Sequence, residues 1–200
     1  MNHRIFRIGL ISIVALLALL ALAWQWGLLA PTNQRSGISG IAQVGGPFTL
    51  VDQDGKTRTD RDFAGRLMLT YFGYSFCPDV CPTALQVMST ALQTMGDDAK
   101  QVQPIFITVD PARDTPKQLK DYVSHFFPGT VGLTGSEEQI SNTAKAYRVY
   151  YRKAEDGSTA EYLMDHSSIV FLMGRDGAYL THFTHQTTPA KMAEAIRKYL

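Results

Sequence analysis

The 200-residue sequence predicts an α/β domain in which a central sheet is flanked by helices, with an added N-terminal β-hairpin and one preceding transmembrane helix. Three observations support this fold class. A long apolar segment lies near the N-terminus, strand and helix patterns alternate along the middle of the chain, and a strand pair precedes a final helix. Because 45% of the residues are hydrophobic, a chain of this length is expected to form one core.

The N-terminal segment has the composition of a membrane anchor. Residues 1–7 carry Arg4 and Arg7 without an acidic residue, and residues 8–30 are almost entirely apolar and include two tryptophans near their end. Such a segment can cross a hydrocarbon core about 30 Å thick, with the tryptophans at the far interface. The small residues of Ala21–Ala23 also suit a signal-peptide cleavage site, but the apolar run continues past them and favours retention.

The arginines predict the orientation, because basic residues hold the short N-terminus in the cytosol. We therefore expect a single-pass protein of the bacterial inner membrane, with its C-terminal domain in the oxidising periplasm. Residues 31–46 are polar and glycine-containing, which suits a flexible linker, so the domain is expected over 47–200. The formal net charge of +1 gives no indication of nucleic-acid binding.

The first half of the domain has the pattern of a hairpin followed by a β-α-β unit. Residues 48–57 predict a hairpin around Asp54-Gly55, because Asp-Gly adopts the positive φ values of a tight turn. Leu67–Phe72 and Pro104–Val109 have the composition of buried strands, which implies a parallel pair. A helix between them is predicted by apolar residues at helical spacing: Leu85, Met88, Leu92 and Met95.

Capping residues predict three more helices. Thr115 with Pro116 begins one, and Ser136 with Gln139 forms the capping box of the next. Thr188-Pro189 begins the closing helix, whose inward-facing residues are expected to be Met192, Ile196 and Leu200.

Two strand pairs are predicted between the last two helices. Tyr147–Tyr151 and Tyr162–Met164 flank a polar tip, and Ser168–Met173 pairs with Ala178–Phe183 around Asp-Gly. Helices that alternate with strands and then enclose a hairpin indicate a thioredoxin-like central sheet.

The chain has two cysteines, Cys77 and Cys81, which lie three residues apart in the segment GYSFCPDVCP. A disulfide is the default in an oxidising compartment, yet closing so short a loop stabilises a fold little. Pro82 suits a first helical turn, which places Cys81 where the helix dipole favours a thiolate. Two sulfurs one turn apart can also contact one soft metal ion, so dithiol, disulfide and metal complex are all open.

Copper and zinc sites with two thiolates usually include an imidazole as a third ligand. His3 is excluded by its cytosolic position, and His125 is interpreted as a residue that complements a helix C-terminus. His182 and His185 straddle a strand residue and are reserve candidates. His166, just before the Ser168–Met173 strand, is the best third ligand, with a hydrogen bond inside its own loop as the alternative interpretation.

Several further side chains near these motifs have two interpretations each. Asp165 either caps a turn, or it orients the imidazole or interacts with a basic partner. Asp79 either caps the cysteine turn or faces an incoming partner. Asp110 and Asp114 are interpreted as turn and cap residues, and Arg113 as the partner of a carboxylate. Three methionines could donate a soft ligand to copper, but their spacing favours a place in the core: Met88, Met95 and Met173.

Three separated motifs resemble the SCO/SenC proteins: YFGYSFCPDVCP at 71–82, VDPARDTP at 109–116 and YLMDHSS at 162–168. The resemblance covers residues 47–200 and the membrane-anchored layout. It implies a thioredoxin-like domain that binds one copper through Cys77, Cys81 and His166. It also implies two partners, an upstream copper donor and cytochrome c oxidase subunit II, whose dinuclear copper centre receives the metal. Met164, often valine in the family, and the tip at 152–161 depart from the pattern.

The leading hypothesis is therefore a membrane-anchored copper metallochaperone, which turns over no substrate. It holds Cu(I) in a three-coordinate site, and Cu(II) would recruit a further oxygen ligand. One alternative is a thiol-disulfide oxidoreductase that uses Cys77 and Cys81 as redox-active residues to reduce the acceptor's cysteines. A redox or copper sensor is another, and zinc is a weaker alternative for the metal.

Overall fold

A computed structural model of the protein describes residue 17 and residues 44–154 and 162–200. The predicted cytosolic residues 1–7, the anchor over 8–30 apart from residue 17, and most of the linker lie outside this range. Among the described residues, none of the helices combines the length and hydrophobicity needed to cross a membrane.

The described part of the chain contains nine strands and four α-helices. The strands are β1 (Thr49–Asp52), β2 (Thr57–Thr59), β3 (Leu67–Gly73), β4 (Val102–Thr108), β5 (Val131–Thr134), β6 (Tyr151–Lys153), β7 (Met164–His166), β8 (Val170–Met173) and β9 (Tyr179–Phe183). The helices are α1 (Val80–Met95), α2 (Pro116–Ser124), α3 (Glu137–Ala146) and α4 (Pro189–Arg197), and short 3₁₀ helices cover Asp60–Phe63 and Gly96–Gln101.

Seven strands form one sheet in the order β2-β1-β5-β4-β3-β8-β9. The three strands β3, β4 and β5 are parallel. β1 pairs antiparallel with β5, β8 with β3, and β9 with β8. All residues of β3 and β4 are buried, as expected for central strands covered on both faces. The fold is thioredoxin-like with an added N-terminal hairpin, which confirms these two parts of the predicted class, whereas the predicted transmembrane helix lies outside the described residues apart from residue 17. The strands β6 and β7 form a separate two-stranded sheet, here called the ribbon.

The predicted capping residues begin their helices. The Thr115 hydroxyl accepts a hydrogen bond from the Gln118 amide at 3.3 Å, and Ser136 and Gln139 form a complete capping box. Thr188 caps α4 in the same way through the Lys191 amide. These bonds satisfy backbone donors that have no partner within the helix, so local sequence determines where each helix begins.

Four local predictions differ from the structure. The strand β5 is an additional element, and Tyr147 ends α3, so that β6 begins only at Tyr151. β7 extends to His166 instead of ending at Met164. The prediction that Leu200 faces inward is wrong: α4 ends at Arg197, and Leu200 lies beyond it, 37% exposed. The other predicted inward residues of α4 and all three core methionines are buried: Met88, Met95, Met173, Met192 and Ile196.

Candidate metal centre

The structure brings Cys77, Cys81 and His166 together. One ligand atom from each lies within 4.8 Å of the other two, and these residues form the one such group of three in the described parts of the chain. His166 Nε2 is 3.2 Å from Cys81 Sγ, although the two residues are 85 positions apart in the sequence. Two sulfurs and one nitrogen at these separations can bind a single soft metal ion.

The cysteines are placed by the loop between β3 and α1. The Cys77 amide donates to the Tyr74 carbonyl at 3.2 Å, which turns the chain, and α1 begins at Val80 so that Cys81 lies in its first turn. The Cys81 amide donates to Cys77 Sγ at 3.4 Å. This bond holds both sulfurs on the same side of the loop.

Gly73, the last residue of β3, makes this arrangement possible. A Cβ atom at this position would lie 2.8 Å from Cys81 Sγ and 3.0 Å from ring atoms of Tyr71 and Phe106. These distances are shorter than normal van der Waals contacts, so the strand can pass behind the sulfur only when residue 73 has no side chain.

His166 is oriented by its surroundings. Its Nδ1 lies 3.2 Å from the Ser167 carbonyl oxygen, and because a carbonyl only accepts, Nδ1 carries the proton and donates. Nε2, the other ring nitrogen, then faces the sulfurs. The rings of Tyr71 and Tyr74 pack edge-on against the imidazole, with centroids 6.0 and 5.9 Å away. The expected hydrogen bond within the loop and the expected ligand position therefore occur together.

The two thiols are free, buried and chemically unequal. A hydrogen bond with the Cys81 thiol lowers the pKa of Cys77 well below its usual range, despite the opposing effect of burial, and His166 contributes to the decrease. The same contact with Cys77, together with burial, raises the pKa of Cys81. The expectation that the helix start favours a thiolate at Cys81 is therefore wrong for the metal-free pair, in which Cys77 carries the negative charge.

Neither aspartate beside the ligand candidates belongs to the donor group. Asp165 pairs with Arg152 across the ribbon at 2.9 Å and is half exposed, so the Ser167 carbonyl orients the imidazole instead. Asp79 precedes α1 without capping its backbone, and its exposed carboxylate accepts a bond from Thr83 at 3.4 Å.

The other described histidines also lie outside the group. His125 is the C-cap of α2, as predicted, and His182 contacts the Tyr179 hydroxyl through Nδ1 at 2.6 Å. His185 lines a cavity of about 260 Å³ beside α1.

The VDPARDTP segment, between β4 and α2, supports the site without contributing a donor atom. Asp114 is fully buried and accepts bonds from the Ser75 amide and hydroxyl and from the Thr108 hydroxyl. It thereby ties the cysteine loop to the end of β4. Asp110 pairs with Arg113, which confirms the carboxylate partner predicted for that arginine. The bond from Ser75 to Asp114 could not be found by sequence reasoning, because nothing in the spacing of the motifs indicates which polar side chains meet.

Comparisons with known proteins agree with this geometry. The SCO1/SenC family model matches residues 37–200. A SCO2-like protein of Rickettsia conorii is 40% identical over 156 residues, which cover 78% of this chain and 76% of that protein.

Solved structures give the same result. The copper-bound ScoI of Bradyrhizobium japonicum is 44% identical, with a TM-score of 0.73, and the match covers 78% of this chain and 99% of the other. BsSco is described as having a disulfide switch and as a member of the Sco family of cytochrome c oxidase assembly proteins. It is 26% identical, with a TM-score of 0.61 and coverage of 78% and 93%. Sequence, fold and the Cys-Cys-His group thus lead to one conclusion: the chain belongs to the SCO1/SenC family.

Proposed function

We propose that the chain is a membrane-anchored copper metallochaperone that holds one copper ion through Cys77, Cys81 and His166. The observation that carries this proposal is the convergence of two sulfurs and one imidazole nitrogen within 4.8 Å. Thiolate and imidazole ligands suit Cu(I), and the copper-bound family relative supports copper over zinc. Cu(II) would recruit an additional oxygen ligand.

Copper loading requires a change in protonation at the site. In the metal-free pair Cys77 is the thiolate, and the thiol of Cys81 has a raised pKa. Since only a thiolate is a good copper ligand, Cys81 releases its proton as the metal binds.

Burial of the three ligands gives an order for copper release. His166 is partly exposed and Cys77 is 8% exposed, whereas Cys81 is fully buried. Acceptor thiolates would therefore displace His166 and Cys77 before Cys81. The metal then moves by stepwise ligand exchange without any covalent change in the protein.

The proposed acceptor is the dinuclear copper centre of cytochrome c oxidase subunit II, and an upstream donor supplies the metal. The description of BsSco as a family member among oxidase assembly proteins supports this choice. The apolar run over 8–30, after Arg4 and Arg7, supports a single-pass anchor in the bacterial inner membrane with the domain in the periplasm.

The proposal is tested by His166→Ala and Cys77→Ser in the full-length chain. We expect wild type to bind one copper, and both variants to lose stable copper retention and oxidase assembly together. His182→Ala, which changes an imidazole outside the site, is the matched control and should behave as wild type. Copper content by elemental analysis and oxidase activity in a strain that carries the variant are the measurements. Full oxidase assembly by a His166→Ala protein without copper would exclude the chaperone function.

The inequality of the two thiols favours a second candidate, a thiol-disulfide oxidoreductase. The Cys77 thiolate would attack an acceptor disulfide and release one acceptor thiolate. Cys81 would then lose its proton and attack the mixed disulfide, which leaves a Cys77–Cys81 disulfide and a reduced acceptor. The disulfide switch described for BsSco supports this chemistry. This oxidoreductase function predicts that copper-free His166→Ala still reduces the disulfide of a peptide with two cysteines, whereas Cys77→Ser does not.

A further inference from the structure

We propose that Arg113 is a positioning residue that holds the ribbon, and with it His166, against the cysteine loop. This inference rests on the proposed copper site and assigns a role to the VDPARDTP segment, which supplies no ligand. Arg113, Asp110 and Tyr162 are together called the clasp.

The ribbon needs contacts that hold it in place, because its strands do not belong to the large sheet. The strands β6 and β7 pair only with each other and are not hydrogen-bonded as strands to the seven-stranded sheet. The cysteines, in contrast, lie between a central buried strand and the first turn of α1. Three residues connect His166 to β8 of the large sheet, and beyond this short link the distance between His166 and the sulfurs depends on side chains that join the ribbon to the body of the domain.

The Arg113 guanidinium contacts both parts of the site. Its Cζ lies 3.7 Å from the ring centroid of Tyr162, which precedes β7, and 4.8 Å from that of Phe76, which precedes Cys77. It also lies 5.6 Å from the centroid of Tyr74, whose ring packs edge-on against His166. A planar cation stacked on aromatic rings resists rotation more than a flexible ammonium group would.

Asp110 fixes the guanidinium and the tyrosine at the same time. Arg113 Nε donates to one carboxylate oxygen, and the Tyr162 hydroxyl donates to the other at 2.8 Å. Asp110 is 3% exposed, and its own amide donates to the Thr108 hydroxyl at 2.9 Å. Because Thr108 is the last residue of β4, the clasp connects the ribbon to the central sheet. Charged hydrogen bonds shielded from water hold such geometry firmly.

The second terminal nitrogen of Arg113, Nη2, is buried and has no hydrogen-bond partner among the described residues. A buried unpaired donor costs free energy, which an outward rotation of the side chain would recover. The aromatic contacts and the Asp110 pair therefore outweigh this cost. The Asp110 pair and the aromatic contacts thus hold the guanidinium inward although one of its donors is unpaired.

The test uses Arg113→Ala and Tyr162→Leu in the purified full-length chain. We expect each variant to bind one copper about 10 to 100 times more weakly than wild type, the range typical when a group that orients a metal ligand is removed. We also expect the nitrogen hyperfine coupling of His166 to be lost or reduced in the electron paramagnetic resonance spectrum of the Cu(II) form. Affinity is measured by competition with a copper chelator. Tyr162→Leu leaves the Arg113–Asp110 pair intact, and its copper affinity decides the test if Arg113→Ala does not fold.

Arg58→Ala is the matched control, because Arg58 also pairs with a buried aspartate, Asp52, at 2.7 Å but lies on the edge strand β2. It should leave the affinity and the nitrogen coupling unchanged. Wild-type values for both clasp variants, or an equal loss in Arg58→Ala, would overturn the clasp. A wild-type chain that binds no copper would instead overturn the proposed function.

Discussion

At the scale of single residues, the carbonyl of Ser167 prepares His166 for a metal. It accepts a hydrogen bond from Nδ1, so that Nε2 is the ring nitrogen that lies beside Cys81. The sequence could predict His166 itself, because an imidazole near the start of a late strand is the missing third ligand of a two-cysteine site. It could not predict the orienting group, since every residue has a backbone carbonyl and only the fold determines which one is near.

Gly73 gives a prediction at the same scale. Gly73→Ala would place a methyl group 2.8 Å from Cys81 Sγ and 3.0 Å from two aromatic rings. We expect copper binding at least tenfold weaker and a loss of about 1–3 kcal/mol in the free energy of unfolding, as for overpacked cores. Copper competition and urea denaturation measure the two effects. Gly46→Ala, where an added Cβ would meet only Ala146 Cβ at an ordinary contact distance of 3.4 Å, tests whether alanine alone explains the result and should not change copper affinity.

At the scale of elements, the sequence predicts best where structure is local. The N-terminal hairpin, the buried strands β3 and β4 and the three capped helix starts follow from turn, periodicity and capping patterns. The strand β5 could not be predicted because its four residues are only Val131–Thr134, with a glycine among them. β7 could not be delimited because Met-Asp-His has no strand pattern and pairs only with the short β6.

The N-terminal hairpin gives a prediction for stability. Burial opposes ionisation of Asp52, but hydrogen bonds from the Lys56 amide, the Arg58 side chain and the Asp54 amide outweigh it, so the pKa of Asp52 is lowered from its ordinary value of 3.8. The stabilisation of the folded state by the charged Asp52 carboxylate is therefore complete above about pH 4, and it is lost as the pH falls through the lowered pKa. We expect Asp52→Asn to lose about 2 kcal/mol in the free energy of unfolding at pH 7.

The difference between Asp52→Asn and wild type should shrink as the pH falls below the ordinary value of 3.8. Urea denaturation at pH 7 and at a series of acidic pH values measures it. Asp54→Asn is the control, because this carboxylate is 44% exposed in its pair with Lys120 and such surface pairs stabilise little. A constant difference at every pH would contradict the assignment of a charged, hydrogen-bonded Asp52.

At the scale of the whole molecule, the metal centre depends on the complete fold. Two donors lie in the loop and the first helical turn that follow the central strand β3, and the third lies on the ribbon, separated from β8 by three residues. The unfolded chain keeps the two cysteines close together but separates them from His166. Copper should therefore bind the folded state more tightly than the unfolded state and stabilise it.

This linkage predicts a rise in Tm on copper loading. At free copper about 100 times the dissociation constant, one site contributes about 2.7 kcal/mol, which corresponds to about 8 °C for a domain of this size. His166→Ala should show a much smaller rise, because its two cysteines bind copper in the unfolded chain as well. Calorimetry with and without Cu(I) under anaerobic conditions provides the measurement. Equal rises in the two proteins would show that the imidazole does not contribute to binding.

The 85 positions between Cys81 and His166 also affect the biogenesis of the protein. A ribosome that has passed the cysteines has still to add the imidazole. During synthesis the polypeptide therefore offers a copper ion only the two sulfurs. If the proposed copper site is correct, we expect tight copper binding only after the domain has folded, so that the chain acquires its metal after synthesis.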